Sequence, residues 1–117
     1  MPEYEDDNVF AKILRGEIPS TLLYADDEFI AIRDIAPAAP THVLVIPKRE
    51  RIGPADITSA DAGWLGRMLV VASKVAADLG LAEDGYRLVM NHGQNAGQAV
   101  PHMHLHIIGG ERLGPFA

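Results

Sequence analysis

Three of the five histidines in the chain stand at every second position, as His102, His104 and His106. In a β-strand successive side chains point to opposite faces, so a strand over Pro101–Gly110 would place these imidazoles together. The residues between them are apolar and would point into the core. The spacing therefore predicts a strand with one reactive face and one core face.

Clustered histidines can bind a metal ion, serve a purely structural role or act in catalysis. A straight strand would separate the first and third by about 13 Å, whereas zinc–nitrogen bonds are about 2.0–2.1 Å, so all three cannot meet at one ion. An adjacent pair helped by His42 could still bind zinc. A purely structural role would bury several polar rings on one face, which is costly.

Catalysis by an imidazole nucleophile explains the pattern best. A neutral imidazole that donates one ring N–H to a backbone carbonyl presents its other nitrogen as a nucleophile. Neighbouring imidazoles on the same face should titrate as a coupled group, because each bound proton disfavours the next. A single strand could therefore supply both a nucleophile and a proton donor.

Five strands and two helices are predicted to position these residues. Asn8 would cap a short helix that ends at Gly16, and a long helix is predicted from Thr58 to Leu79. The strands are predicted at residues 22–25, 29–33, 41–47, 86–91 and 101–110.

The long helix is predicted to have more than one apolar face. Its main apolar stripe is formed by Trp64, Leu65, Met68, Leu69, Ala72, Val75, Ala76 and Leu79. Val70 and Val71 lie off that stripe. A second apolar face is consistent either with a subunit interface or with deeper burial in the core.

A loop rich in glycine and side-chain amides, residues 92–100, leads into the histidines. Glycine lets backbone N–H groups approach an oxyanion, and amide side chains donate hydrogen bonds without charge, although the segment could also be a simple connection. There is no Lys or Arg between Arg87 and Arg112. A phosphate here would be held by neutral donors and imidazoles, which suits a phosphodiester or phosphoramidate better than a polyphosphate.

Composition predicts one globular domain without a polyanionic partner. The chain has 117 residues, of which 48% are hydrophobic, and a formal net charge of −6. Nucleic-acid binding depends on Lys and Arg contacts to phosphate, so a net negative charge disfavours a nucleic-acid partner. The lack of cysteine excludes disulfides and thiolate metal sites. No secretory signal or membrane-length apolar segment is visible, so a cytoplasmic protein with no membrane partner is expected.

The run His102–Ile108 resembles the His-x-His-x-His-x-x signature, with apolar x, of the histidine triad superfamily of nucleotide hydrolases and transferases. The segments that resemble its HINT branch are Asn8–Ile13, Glu17–Pro19, Asp34–Ile35, Pro40–Lys48, Ala77–Leu81, Tyr86–Arg87 and Gly97–Gln98. The resemblance therefore extends from about residue 8 to Gly110.

This resemblance implies an α+β fold of the HIT type, with a five-stranded antiparallel sheet, one short and one long helix, and a two-fold homodimer. Residues 1–117 would form a single HIT domain, with a short acidic segment at 1–7 and a tail at 111–117. The implied activity is hydrolysis of a purine nucleoside 5′-phosphoramidate or an acyl-nucleotide to the nucleoside monophosphate. No metal and no cofactor are required.

The resemblance also assigns roles to individual residues. His104 matches the nucleophile that forms a covalent nucleotidyl-histidine. The supporting histidines, expected to orient His104 and relay protons, are His42, His102 and His106, and the general acid among them is left open. Phosphate contacts match Asn91, Gly97 and Gln98, ribose contacts match Asp34 and Ile35, and the base pocket matches Phe10 and Ile13.

Two departures from the family pattern bear on activity. Ala99 occupies a substrate-binding position where many HINT proteins carry serine. One neutral hydrogen bond contributes about 1 kcal/mol net, so its absence should slow turnover or alter leaving-group preference without abolishing the chemistry. The tail also lacks the tryptophan of some relatives, and Phe116 is its candidate substrate contact.

Two alternative functions remain open from the sequence. The same nucleophile could cleave dinucleoside polyphosphates or transfer nucleotidyl groups, although a loop without cations disfavours long polyphosphates. A non-catalytic nucleotide- or zinc-binding regulatory module is the other alternative. The choice between adenosine and guanosine also stays open, because an apolar base pocket would stack on either.

Overall fold

A five-stranded antiparallel sheet forms the centre of the molecule. The computed structural model describes residues 2–117. Its helices and strands are α1 (Val9–Leu14), β1 (Leu22–Ala25), β2 (Phe29–Arg33), β3 (Thr41–Pro47), α2 (Ala62–Asp78), β4 (Tyr86–Val89) and β5 (Leu105–Gly109). The strand order is β1-β2-β3-β5-β4, and every neighbouring pair is antiparallel. The predicted α+β fold, with a five-stranded antiparallel sheet, one short helix and one long helix, is confirmed.

The short helix α1 has the predicted start and stop. The side chain of Asn8 accepts a hydrogen bond of 2.9 Å from the Ala11 N–H, which caps the first turn. Gly16 follows the helix with φ of +77°, a left-handed conformation that costs glycine little. Local residue types therefore determine where this helix begins and ends.

Alternation along β3 separates the two faces of the sheet. Val43 and Val45 are buried in the cluster that α2 covers. Leu44 and Ile46 are buried on the other face, with Phe10 of α1. His106 pairs with Leu44 across the β3–β5 ladder. The histidines therefore lie on the sheet face opposite α2.

The fifth strand is shorter than the sequence predicts, and His102 and His104 precede it. The ladder pairs Val45 with Leu105, so continued pairing would join Ile46 with His104 and then Pro47 with Met103. Proline has no N–H, so one of the two main-chain hydrogen bonds of the Pro47–Met103 pair cannot form. The N–H of Met103 donates instead to the Arg51 carbonyl, at 2.7 Å.

Side chains alternate between the two faces as predicted even at residues 102–104, which precede β5. Met103, Leu105 and Ile107 are all buried in the cluster under α2. The fourth strand is also shorter than predicted and ends at Val89 rather than Asn91.

The buried face of α2 differs from the predicted stripe at two positions. Val71 is 7% exposed and belongs to the core, because it follows Met68 by three residues and precedes Val75 by four. Leu69, predicted to be in the stripe, is 53% exposed, and Val70 is 68% exposed. α2 has 17 residues, and no helix within residues 2–117 is both long and apolar enough to cross a bilayer.

The adjacent valines of α2 give a matched test of this packing. Val71→Ala should lower the free energy of unfolding by about 2 kcal/mol, because it removes two buried methyl groups and leaves a cavity. Val70→Ala should change the free energy of unfolding of the monomer by about 0.5 kcal/mol or less, because that side chain is exposed in the single chain. Urea unfolding of both variants measures the difference. Equal losses would contradict this assignment of the buried face.

Candidate active site

A pocket of about 340 Å³ opens on the histidine face of the sheet. The eight predicted substrate-binding residues all line it: Phe10, Ile13, Asp34, Ile35, Asn91, Gly97, Gln98 and Ala99. His104 and His106 line it as well. His42 and His102 contact these two histidines from behind. The structure thus brings together residues from α1, from the segments that follow β2 and β4, from the glycine-rich loop and from the histidine segment.

The hydrogen bonding of His104 leaves one ring nitrogen available for attack. Its Nδ1 lies 2.7 Å from the carbonyl oxygen of His102, so Nδ1 carries the proton and Nε2 has the lone pair. This is the hydrogen bond to a backbone carbonyl that the sequence analysis expects. Phe10 packs edge-on against the ring, with 4.8 Å between the centroids. Burial lowers the pKa of His104, which favours the neutral, nucleophilic form.

His42 and His106 form a hydrogen-bonded pair whose proton positions follow from the backbone. The Ala38 N–H donates to His42 Nδ1 at 3.0 Å, so neutral His42 carries its proton on Nε2. That Nε2–H donates to His106 Nδ1 at 2.8 Å, so neutral His106 must carry its own proton on Nε2. Burial, with His104 and His42 nearby, lowers the pKa of His106 to about 4.

The outer nitrogen of His106 lacks a hydrogen-bond partner. Its Nε2 is buried and unsatisfied within residues 2–117. A buried donor without an acceptor costs free energy, so such a group in a pocket wall indicates a place for a ligand oxygen or nitrogen.

Both ring nitrogens of His102 are occupied. Its Nε2 lies 2.8 Å from the Pro47 carbonyl oxygen, and its Nδ1 lies 2.6 Å from the Tyr4 hydroxyl. The residue is 1% exposed, and burial lowers the pKa of its imidazole. Of the two roles expected for His102, this arrangement favours orientation over proton relay, since its carbonyl holds His104.

The amide of Gln98 is used within the chain. Its Oε1 accepts from the Gly93 N–H at 2.8 Å, and its Nε2 donates to the carbonyls of Ile52 and Val100 at 2.7 and 3.0 Å. These bonds fix the glycine-rich loop against the rest of the fold. The side chain predicted to contact phosphate therefore holds the loop that carries Gly97 and Ala99.

A three-residue group on this face has the ligand types of a metal site. Asp34, His42 and His106 each place one donor atom within 4.8 Å of the others. However, His42 Nε2 and His106 Nδ1 are 2.8 Å apart, at hydrogen-bond distance. Two nitrogens on a tetrahedral zinc would be about 3.3 Å apart, given bonds of about 2.0–2.1 Å. The geometry therefore fits a hydrogen-bonded histidine pair better than a preformed zinc site.

Sequence reasoning missed several residues of the site. The additional lining residues are Val9, Ile18, Pro19, Ser20, Ile32, Arg33, Leu44 and Val100. Helical spacing from Ile13 would have found Val9. No local pattern pointed to Tyr4 or to the Pro47 carbonyl, because both reach His102 from distant parts of the chain.

The chain is similar in sequence to known proteins along nearly its whole length. The chain is 48% identical to the purine nucleoside phosphoramidase of Escherichia coli (strain K12) over 110 residues, which cover 94% of this chain and 92% of the relative.

Solved structures match the fold equally well. A HIT family hydrolase from Clostridium thermocellum aligns with a TM-score of 0.90 at 49% identity, covering 95% of this chain and 96% of that one. A histidine triad protein from Clostridium difficile aligns with a TM-score of 0.90 at 38% identity over 100% of both chains. The HIT domain family matches residues 15–113. The chain therefore belongs to the HIT domain family.

Proposed function

We propose that this protein is a nucleoside phosphoramidase that cleaves the P–N bond of purine nucleoside 5′-phosphoramidates through a covalent nucleotidyl-histidine. The observation that carries the proposal is the His104 Nδ1–H···O=C bond to His102, because it leaves Nε2 as a nucleophile in the pocket wall. The similarity to the Escherichia coli purine nucleoside phosphoramidase supports the same substrate class.

The pocket walls suit the three parts of a nucleotide. Phe10 and Ile13 provide an apolar surface on which a purine base stacks. Asp34 lies at the wall between the apolar part and the histidines, where its carboxylate accepts hydrogen bonds from ribose hydroxyls. The phosphate then lies beside Asn91 and the loop around Gly97, where neutral donors stabilise its charge.

Nucleophilic attack by His104 starts the reaction. Its Nε2 forms a bond to the α-phosphorus while the P–N bond to the leaving group breaks. The ring becomes positively charged, and its Nδ1–H remains bonded to the His102 carbonyl, which stabilises that charge. The product of this step is nucleotidyl-His104.

The unsatisfied Nε2–H of His106 donates a hydrogen bond to a phosphate oxygen and stabilises the charge that develops there. The rings of His104 and His106 have centroids 4.9 Å apart, so this donor lies beside the reacting phosphorus. Neutral His106 would become an imidazolate anion if it gave up its one N–H, so the leaving nitrogen takes its proton from solvent as the P–N bond breaks. Water then attacks the phosphorus, the P–Nε2 bond breaks, and a proton from the water passes to solvent. The product is the nucleoside monophosphate.

The functional unit is proposed to be a homodimer without a nucleic-acid partner. β4 forms one edge of the sheet, and an open edge can pair with a second copy of the same strand. The exposed apolar side chains on α2 and β4 are Leu69, Val70 and Leu88. Sedimentation at micromolar concentration should therefore give twice the mass of the 12.6 kDa chain. A single monomeric species would overturn the dimer.

The lowered pKa values predict activity in mildly acidic solution. An ordinary imidazole has a pKa of about 6.5 and loses nucleophilicity below it. Burial lowers the pKa of His104, so the lone pair on Nε2 should remain available at lower pH. The acid limb of kcat/KM for adenosine 5′-phosphoramidate should therefore have its midpoint below pH 6.5. A midpoint at or above that value would count against a desolvated neutral nucleophile.

Trapping the covalent intermediate tests the function directly. Wild-type protein mixed with adenosine 5′-phosphoramidate and EDTA, then quenched rapidly without acid, should carry an adenylyl group on His104 by peptide mass spectrometry. His104→Ala should lose both the adduct and turnover, because no other imidazole presents its lone pair from that wall. His92→Ala, which changes the one histidine outside the cluster, should retain both.

Two results of this experiment would contradict the proposal. AMP binding without adduct or turnover in the wild type would favour a nucleotide-binding module. Turnover that disappears in EDTA and returns with zinc would instead favour a metal-dependent site at the Asp34, His42 and His106 group.

A further inference from the structure

A tyrosine from the N-terminal segment reaches the histidine that holds the nucleophile. Tyr4 precedes α1 in sequence, and its hydroxyl lies 2.6 Å from Nδ1 of His102. The two rings also pack edge to face, with centroids 5.6 Å apart. This contact joins parts of the chain that are 98 residues apart in sequence.

The direction of this hydrogen bond follows from the other partners of the two residues. His102 Nε2 must donate to the Pro47 carbonyl, so neutral His102 can only accept at Nδ1. The Nδ2 of Asn8 donates to the Tyr4 oxygen at 3.1 Å. The Tyr4 O–H is therefore free to point at His102. Burial raises the pKa of Tyr4, so the hydroxyl keeps the proton that this bond needs.

The segment that Tyr4 contacts lies outside the β3–β5 ladder and is held partly by side-chain hydrogen bonds. β5 begins only at Leu105, so His102 and His104 lie outside its ladder with β3. The carbonyl of His102 nevertheless has to point at Nδ1 of His104. The bonds from Tyr4 and Pro47 to the two sides of the His102 ring hold that residue from opposite directions.

We propose that Tyr4 is a positioning residue for the nucleophile. Its hydroxyl holds the Nδ1 side of the neutral His102 ring, opposite the Pro47 carbonyl, and the His102 carbonyl in turn fixes the ring of His104 with Nε2 facing the substrate. This inference rests on the proposed phosphoramidase function for its catalytic consequence, and on the hydrogen bonds alone for its structural part.

Tyr4→Phe removes only the hydroxyl and keeps the ring packing. The rate of nucleotidyl-His104 formation, measured in single turnovers, should fall about fivefold, as expected for loss of one hydrogen bond that orients the reacting group. KM should change less than twofold, since Tyr4 does not line the substrate pocket. Tyr24→Phe is the matched control, because its hydroxyl bonds to Asp26 at 2.6 Å away from the pocket. That variant should react at the wild-type rate.

Imidazole nitrogen NMR separates positioning from a general loss of structure. In the wild type His102 should show a protonated Nε2 and a hydrogen-bonded, unprotonated Nδ1. Tyr4→Phe should shift the Nδ1 signal of His102 and perturb the ring signals of His104, whereas Tyr24→Phe should leave both unchanged. Unchanged His102 signals, or shifted signals with an unchanged rate, would overturn the proposal.

The proposed function and the positioning role of Tyr4 can be rejected separately. If wild-type protein forms no nucleotidyl adduct, the proposed function fails, and the spectra still decide whether Tyr4 orients the rings of His102 and His104. If the wild type reacts and Tyr4→Phe reacts equally fast, the function stands and the positioning role of Tyr4 is rejected.

Discussion

The hydrogen bond from His104 Nδ1–H to the His102 carbonyl is the constraint on which the site depends. An imidazole has two nitrogens, and this bond determines which one keeps the proton and which one faces the pocket. A backbone carbonyl cannot take up the proton permanently, so the tautomer is fixed without adding a charge to a desolvated site. Burial of the ring disfavours its cationic form until a bond to phosphorus forms.

Backbone groups set the protonation pattern of the whole histidine cluster. The Ala38 N–H fixes His42, and His42 fixes His106, so the buried donor at His106 Nε2 is determined by a main-chain amide several bonds away. Pro47 contributes a carbonyl to His102 in the same way. Because these groups belong to the folded main chain, they are oriented before any substrate binds, which is the condition for electrostatic stabilisation without reorganisation.

Patterns confined to neighbouring residues were readable from the sequence, and contacts between distant segments were not. The alternation around His104 correctly predicted which side chains enter the core, and the cap and glycine correctly bounded α1. The start of β5 depends on what stands opposite Met103, and the sequence does not show that register. Leu69 was misplaced because several positions of α2 are apolar and only packing decides which face is buried. The role of Gln98 depends on hydrogen bonds to three main-chain groups, and the sequence does not show which groups its amide will reach.

Pro47 affects both the main-chain pairing of β3 and the position of His102, because its ring removes the amide hydrogen. A proline ring deletes a donor and keeps an acceptor, so the carbonyl that would have paired with the neighbouring strand is left to an imidazole. Any other amino acid at this position would restore the amide proton, so that the hydrogen-bonded ladder between β3 and β5 could extend to Met103. The N–H of Met103 would then compete with the side chain of His102 for the same oxygen. Pro47 thus marks the point where main-chain pairing of the sheet ends and the segment that carries His102 and His104 begins.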